Sequence, residues 1–137
     1  MKYIIDYCDD GFIKNKELEL DDRDVWSFDV TLAPIIHAGL VKLRDIKHGS
    51  PMVDDDDVPL CLRANDIDPV EGVDYNFHAR WDWVLNEMIW AFNQLVIEDW
   101  EDQYFGTKID LDGHKAHGSR MRNGFELFGK YYTDLWD

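Results

Sequence analysis

The chain has 137 residues, 45% hydrophobic and 14% aromatic, and its 29 Asp and Glu against 14 Lys and Arg give a formal charge of -15. That length suits one domain, and the apolar content is enough to bury a core, which excludes a chain disordered throughout. The charge opposes direct binding to DNA, RNA or an anionic membrane and favours a neutral, cationic or basic partner.

The first 25 residues read as strand-like. Tyr3, Ile4 and Ile5 precede a DDG turn at 9–11, Phe12 and Ile13 follow it, and KELELD at 16–21 alternates. This pattern predicts short strands paired as a β-hairpin or small sheet. The start MKYIIDYCDDG is broken by Asp6 and reads as neither a signal peptide nor an anchor. Cys8 and Cys61 lie in different neighbourhoods, without a C-x-x-C pair or a histidine at zinc spacing. Two free thiols in a reducing cytoplasm fit best.

Residues 26–137 read as a helical core with an acidic loop at 50–75. Leu32, Ile35, Ile36, Leu40, Leu43 and Ile46 recur on one helix face, predicting a first long helix over Asp29–Lys47. Ser27 or Asp29 can cap it, and Lys47, His48 and Gly49 give a basic last turn and a stop. Pro34 lies beyond the first turn and should kink it. Residues 76–103 carry Phe77, Trp81, Leu85, Met88, Phe92, Leu95 and Val96 on one face, with Asn76 as cap. Trp83, Ile89, Trp90, Ile97 and Trp100 extend the apolar character most of the way round, as expected for a central helix or one facing a second chain. A third helix is expected from about His114 to Trp136, with Met121, Phe125, Phe128, Tyr132 and Leu135 on its inner face. Gly118, Gly124 and Gly129 interrupt it, each at about 1 kcal/mol relative to alanine, so close approach of another helix or a bound group is expected there. KIDLDG at 108–113 alternates and could add a strand. The expected fold is mainly α, a bundle of three long helices with a short N-terminal hairpin.

Asp54, Asp55, Asp56 and Asp57 repel one another and cannot share a face of a regular element, which places them in a solvated loop. Their functional reading is a phosphate-like strip for a basic partner. Asp21, Asp22, Asp24, Asp66, Asp68, Glu71 and Asp74 would extend that strip if they gathered on one side of the fold. DDDDVPL also resembles the acidic tip of bacterial single-strand-binding proteins, although here it is internal and ends in leucine.

A metal-dependent hydrolase, acting on nucleotides, is the alternative. Glu87 stands between Trp83 and Trp90 at helical spacing, a setting that can raise a carboxyl pKa. With Glu98, Asp99, His78 and the H-x-x-H pair His114 and His117, it could hold a divalent metal. An EF-hand is excluded, because Lys108 occupies the first ligand position and Ser119 the last. No G-x-x-x-x-G-K-[ST], G-x-S-x-G or H-E-x-x-H is present, and no catalytic residue stands out. A third reading is a structural homo-oligomer or minor virion component burying Trp83, Trp90 and Trp100 between chains.

DVWSFDVTLAPII, KHGSPMVDDDDVP, RWDWVLNEMIWAF and NGFELFGKYYTDLWD together resemble a family of small uncharacterised acidic proteins encoded by tailed bacteriophages. The likeness covers most of residues 24–137 and departs around His37, Ala38 and Gly39. The resemblance implies a viral protein made in the host bacterial cytoplasm and brings no activity or catalytic residue with it; no cofactor is expected, the divalent metal of the hydrolase reading excepted. Joined to the charge, it gives the expectation of a non-enzymatic protein that binds and inhibits a basic or nucleic-acid-binding host protein by DNA mimicry.

Overall fold

Helix α2 (Phe77–Ile97) is the centre of the fold because its apolar residues nearly encircle it, so it must be covered on more than one side. Trp81, Val84, Leu85 and Met88 are its largest fully buried side chains. Helix α1 (Phe28–Ile46) covers one flank with Ala33 and Leu40, and helix α3 (Leu111–Lys130) covers another with Met121, Gly124 and Leu127. The helices α1 and α3 pack mainly on α2 and scarcely on each other. Val53 and Val58, either side of the aspartate run, complete the core with Tyr131. The computed structural model describes all residues 1–137. Three helices with an N-terminal hairpin are the architecture expected from the sequence. No helix is long and apolar enough to cross a membrane.

Strands β1 (Lys2–Tyr7) and β2 (Ile13–Glu19) form an antiparallel hairpin. Gly11 supplies the positive φ of 86° at its turn, and Asp10 accepts from the Phe12 N–H at 3.2 Å. A 3-10 turn at Asp22–Val25 links the hairpin to α1.

The helix boundaries depart from the sequence pattern in physically readable ways. Helix α1 runs unbroken through Pro34, which is exposed, so the Val30 carbonyl it leaves without an intrahelical partner can turn to water. Helix α2 stops at Ile97 rather than near Gln103. Glu98 takes the left-handed conformation (φ 63°) as its C-cap, and residues 99–104 fold back as turns instead of continuing the helix. Asn76 stands at the N-cap, but its side chain donates to the carbonyls of Cys61 (3.2 Å) and Arg63 (2.9 Å), tying the preceding loop.

Helix α3 begins at Leu111 because the Asp110 side chain accepts from the Gly113 N–H at 2.9 Å. The strand expected at 108–113 is therefore replaced by a cap, with only a single bridge between Phe105 and Ile109. The helix ends at Lys130, after which Tyr132–Asp134 form a 3-10 turn. Gly124 meets the expectation of close approach: a Cβ there would overlap that of Ala91 and lie 2.8 Å from the Glu87 carbonyl. Gly129 has open space, and a Cβ at Gly118 would only touch Trp100.

Candidate functional site

The aspartate run is a 3-10 turn at Asp55–Asp57, pinned at both ends by the buried valines 53 and 58. Its repulsion is relieved from the end of α3. Lys130 Nζ stands 2.6 Å from both Asp54 and Asp57, and this pair of carboxylates raises its pKa. The Tyr131 hydroxyl donates to Asp57 Oδ2 at 2.5 Å and accepts from the Asp54 N–H at 3.0 Å. Burial, reinforced by Asp57, pushes this phenol up to about 12. Asp55 accepts from the Ala64 N–H at 2.8 Å. Asp56 stays 94% exposed, with only Arg63 nearby at 3.8 Å. The loop is thus an ordered acidic turn in which Asp57 faces inward while Asp54, Asp55 and Asp56 remain exposed.

Beside this turn lies an open cleft of about 440 Å³. Met52, Ile67, Val73 and Phe77 give it apolar walls, and Asp54 and Asp55 contribute to its lining. Its deeper side is fixed by Asp74 and Arg80, joined through two bonds of 2.8 Å and both nine-tenths buried or more. The Arg80 hydrogen bonds hold the Asp74 carboxyl down at about 2. Asp68 orders the opposite wall by accepting from Val70 N–H, and Gly72 closes the turn at φ 78°. An apolar channel lined by carboxylates can take an amphipathic cation, with its stem on the walls and its charge at the acidic side.

The other acidic residues divide between the ends of α2. Asp66, Asp68, Glu71 and Asp74 share the cleft's end, where Glu71 pairs with His78 at 3.0 Å and His78 also meets Ser50. Asp21, Asp22 and Asp24 precede α1, whose Asp29 and Leu32 lie against Phe92 and Leu95 near the other end of α2. A 21-residue helix separates ends by roughly 30 Å. Asp21 and Asp24 are occupied locally: they form a reciprocal capping box, Asp21 pairs with Arg23, and Asp24 meets the Met1 amine at 2.8 Å. The single acidic strip envisaged from the sequence is therefore two separate groups.

The carboxylates and histidines considered for metal do not converge, and no three His, Cys, Asp or Glu side chains stand together with ligand geometry. Glu87 is held by Arg120 at 3.0 and 3.2 Å, while the Arg120 guanidinium lies 3.8 Å from the Trp90 ring centre. Glu98 serves as the helix cap, Asp99 opens the following turn, and His78 stands near the start of α2. His114 pairs with Glu101 at 2.8 Å and stacks on Trp100. His117 is enclosed between Trp90 and Trp100, with ring centres at 5.0 and 4.6 Å. Gln94 donates its amide to the Trp90 carbonyl, so its oxygen faces His117 Nε2 at 2.8 Å and requires a proton there. Tyr104 then donates to Nδ1 at 2.7 Å, which makes His117 a neutral imidazole. Burial, aided by Arg120 and His114, lowers its pKa. Trp90 and Trp100 thus have ring partners within the chain, and Trp83 packs against the core.

Lys130, Tyr131 and Arg80 shape the site without any mark in the sequence pattern, and Asp74, which the pattern offers only as one more carboxylate of the strip, is the buried partner of Arg80. The nearest signal is D-x₅-R at 74–80 running into a helix start, whereas the Lys130 and Tyr131 contacts span more than seventy residues. The chain matches no protein-family model, no curated protein and no solved structure.

Proposed function

We propose that this is a non-enzymatic binding protein that occupies a basic protein partner through the Asp54–Asp56 turn and the adjoining cleft. The observation that supports this most is the ordering of the turn. Val53, Val58 and Asp57 anchor it, so the exposed carboxylates are presented without the entropy cost of fixing a free loop. A lysine or arginine of the partner would lay its stem on Met52, Ile67 and Phe77 and bring its charge to Asp54 and Asp55. The remaining negative field would speed association and exclude anionic competitors.

In the bacterial cytoplasm implied by the phage resemblance, the partner would be a basic host protein, nucleic-acid-binding proteins being the largest such class, and occupation of its basic surface would inhibit it. The mimicry is local, since the acidic groups at the two ends of α2 do not form one strip. The test is capture from bacterial lysate with wild type, Asp55→Asn/Asp56→Asn and Asp21→Asn/Asp24→Asn, followed by a salt titration of any purified pair. A basic protein retained by wild type and the second variant, lost from the first and weakened by salt is the expected result. Binding that ignores both salt and the Asp55 and Asp56 changes would refute the proposal.

A further inference from the structure

The N-terminal hairpin has an apolar face that nothing in its own chain covers. Cross-strand partners share a face, so Tyr3 with Leu18, Ile5 with Lys16, and Tyr7 with Ile13 lie together. The bulge after Asp6 sets Ile13, rather than Lys14, opposite Tyr7. Tyr3, Tyr7, Ile13 and Leu18 are 47–61% exposed, and no hairpin residue is buried. A two-stranded hairpin is marginal by itself and needs a packing surface for lasting order.

Such a surface exists on the helical body. Because α1 and α3 both pack on α2 but scarcely on each other, an open groove remains between them. Leu32, Ile36, Gly39 and Leu43 line it from α1, with Phe92 beneath and Phe128 opposite. Two adjoining hollows of about 260 and 350 Å³ share Ile36 and Phe128 and make it continuous. The only charged residue lining them is Asp29. The hairpin's apolar face likewise carries one charge within its paired rows, Lys16. The two surfaces therefore match in both apolar character and charge.

We infer that the hairpin of one chain docks in the α1/α3 groove of a second copy, reciprocally, giving a two-fold dimer with Lys16 facing the partner's Asp29. The turn at Asp22–Val25 is fixed by the Asp21 and Asp24 capping box, and in this arrangement the hairpin makes few contacts with the helices of its own chain. With aromatic side chains presenting about 150–250 Å², the exposed parts of Tyr3 and Tyr7 alone offer on the order of 200 Å² per arm. Counting Ile13 and Leu18, two arms and two grooves reach on the order of 1,600 Å², the size of a standard stable interface. This inference is independent of the acidic cleft, which shares no lining residue with the groove.

The test is sedimentation velocity of the full chain across micromolar concentrations, with Leu18→Asp on the arm and Gly39→Gln in the groove. Leu18 is 58% exposed and a Cβ at Gly39 meets nothing within 4 Å, so both variants retain the monomer fold, which circular dichroism checks. Wild type should dimerise, and each variant should weaken the dimer at least about tenfold. An equimolar mixture should associate more strongly than either variant alone but less strongly than wild type, because one of the two contacts then joins an intact arm to an intact groove. A monomeric wild type, or a dimer indifferent to both changes, would overturn the inference.

Discussion

Replacing Gly124 by alanine sets two effects of opposite sign against each other. Alanine in a helix interior gains about 1 kcal/mol over glycine. At Gly124, however, the new Cβ would overlap the Ala91 Cβ and lie 2.8 Å from the Glu87 carbonyl oxygen, part of the backbone of α2. A backbone obstacle cannot rotate aside, so α3 must move outward, and overpacking of this kind costs about 3 kcal/mol at the upper end of its usual range. The expected balance is destabilisation by about 2 kcal/mol, or a Tm lower by roughly 6–10 °C for a domain of this size. Gly39→Ala is the control. It lies within α1 with nothing within 4 Å of the added carbon, so its propensity gain should survive and raise Tm by a few degrees. Urea and thermal unfolding of the two variants at one low protein concentration measure the contrast. If Gly124→Ala stabilises as Gly39→Ala does, the close crossing of α2 and α3 is wrong.

Asp74→Asn removes one partner of a buried ion pair and should cost about 3–5 kcal/mol in urea unfolding, because the Arg80 charge stays buried. The wild-type Asp74 carboxyl sits at about 2 when folded against an ordinary 3.8, so its stabilisation is full above about pH 4 and declines as pH falls towards 2. It amounts to on the order of 2 kcal/mol, and an acid titration flatter in Asp74→Asn than in wild type would show it. The His117 pKa is lowered in the fold, so the unfolded chain takes up the proton first and stability should fall as pH drops below about 6.5. Tryptophan fluorescence should follow through Trp90 and Trp100, and His117→Gln should flatten that limb; an unchanged limb refutes the assignment. Tyr131→Phe should cost about 1–3 kcal/mol by leaving Asp57 without its phenol donor, whereas Asp56→Asn should stay within about 0.5 kcal/mol. Equal losses from the two would contradict the inward and outward sorting of the acidic turn.

What the sequence made legible follows the range of the interactions involved. The apolar circumference of α2 predicts a central helix because burial acts on every turn of it, and the DDG turn predicts the hairpin because Gly11 alone satisfies φ 86° there without strain. The end of α2 was illegible because its apolar pattern continues through Ile97 to Trp100. What stops it is a non-glycine cap at Glu98 and the stacking of Trp100 on His114 and His117, residues more than a dozen positions away. KIDLDG alternates as a strand does, yet Asp110 finds the Gly113 N–H and caps α3 instead. At the aspartate run, local repulsion correctly argues against a regular element, but the local sequence contains no sign of Lys130 or Tyr131. Those distant partners determine which carboxylates turn inward.

The same division of charge implies two opposite responses to salt. Lys47, Arg80, Arg120 and Lys130 are engaged with carboxylates in the fold, so much of the -15 charge is left as mutual repulsion. Modest salt screens that repulsion over a Debye length of about 8–10 Å and should raise the stability of the free protein, while buried Asp74 and Arg80 are screened least. Binding through Asp54, Asp55 and Asp56 depends on the same unscreened field and should weaken over the same range. Both curves can be measured with one preparation, by thermal unfolding and by partner affinity from about 20 to 300 mM NaCl. If stability and affinity fall together, repulsion within the acidic surface does not govern how the free protein responds to salt. If affinity alone is flat, the exposed aspartates are not the contact.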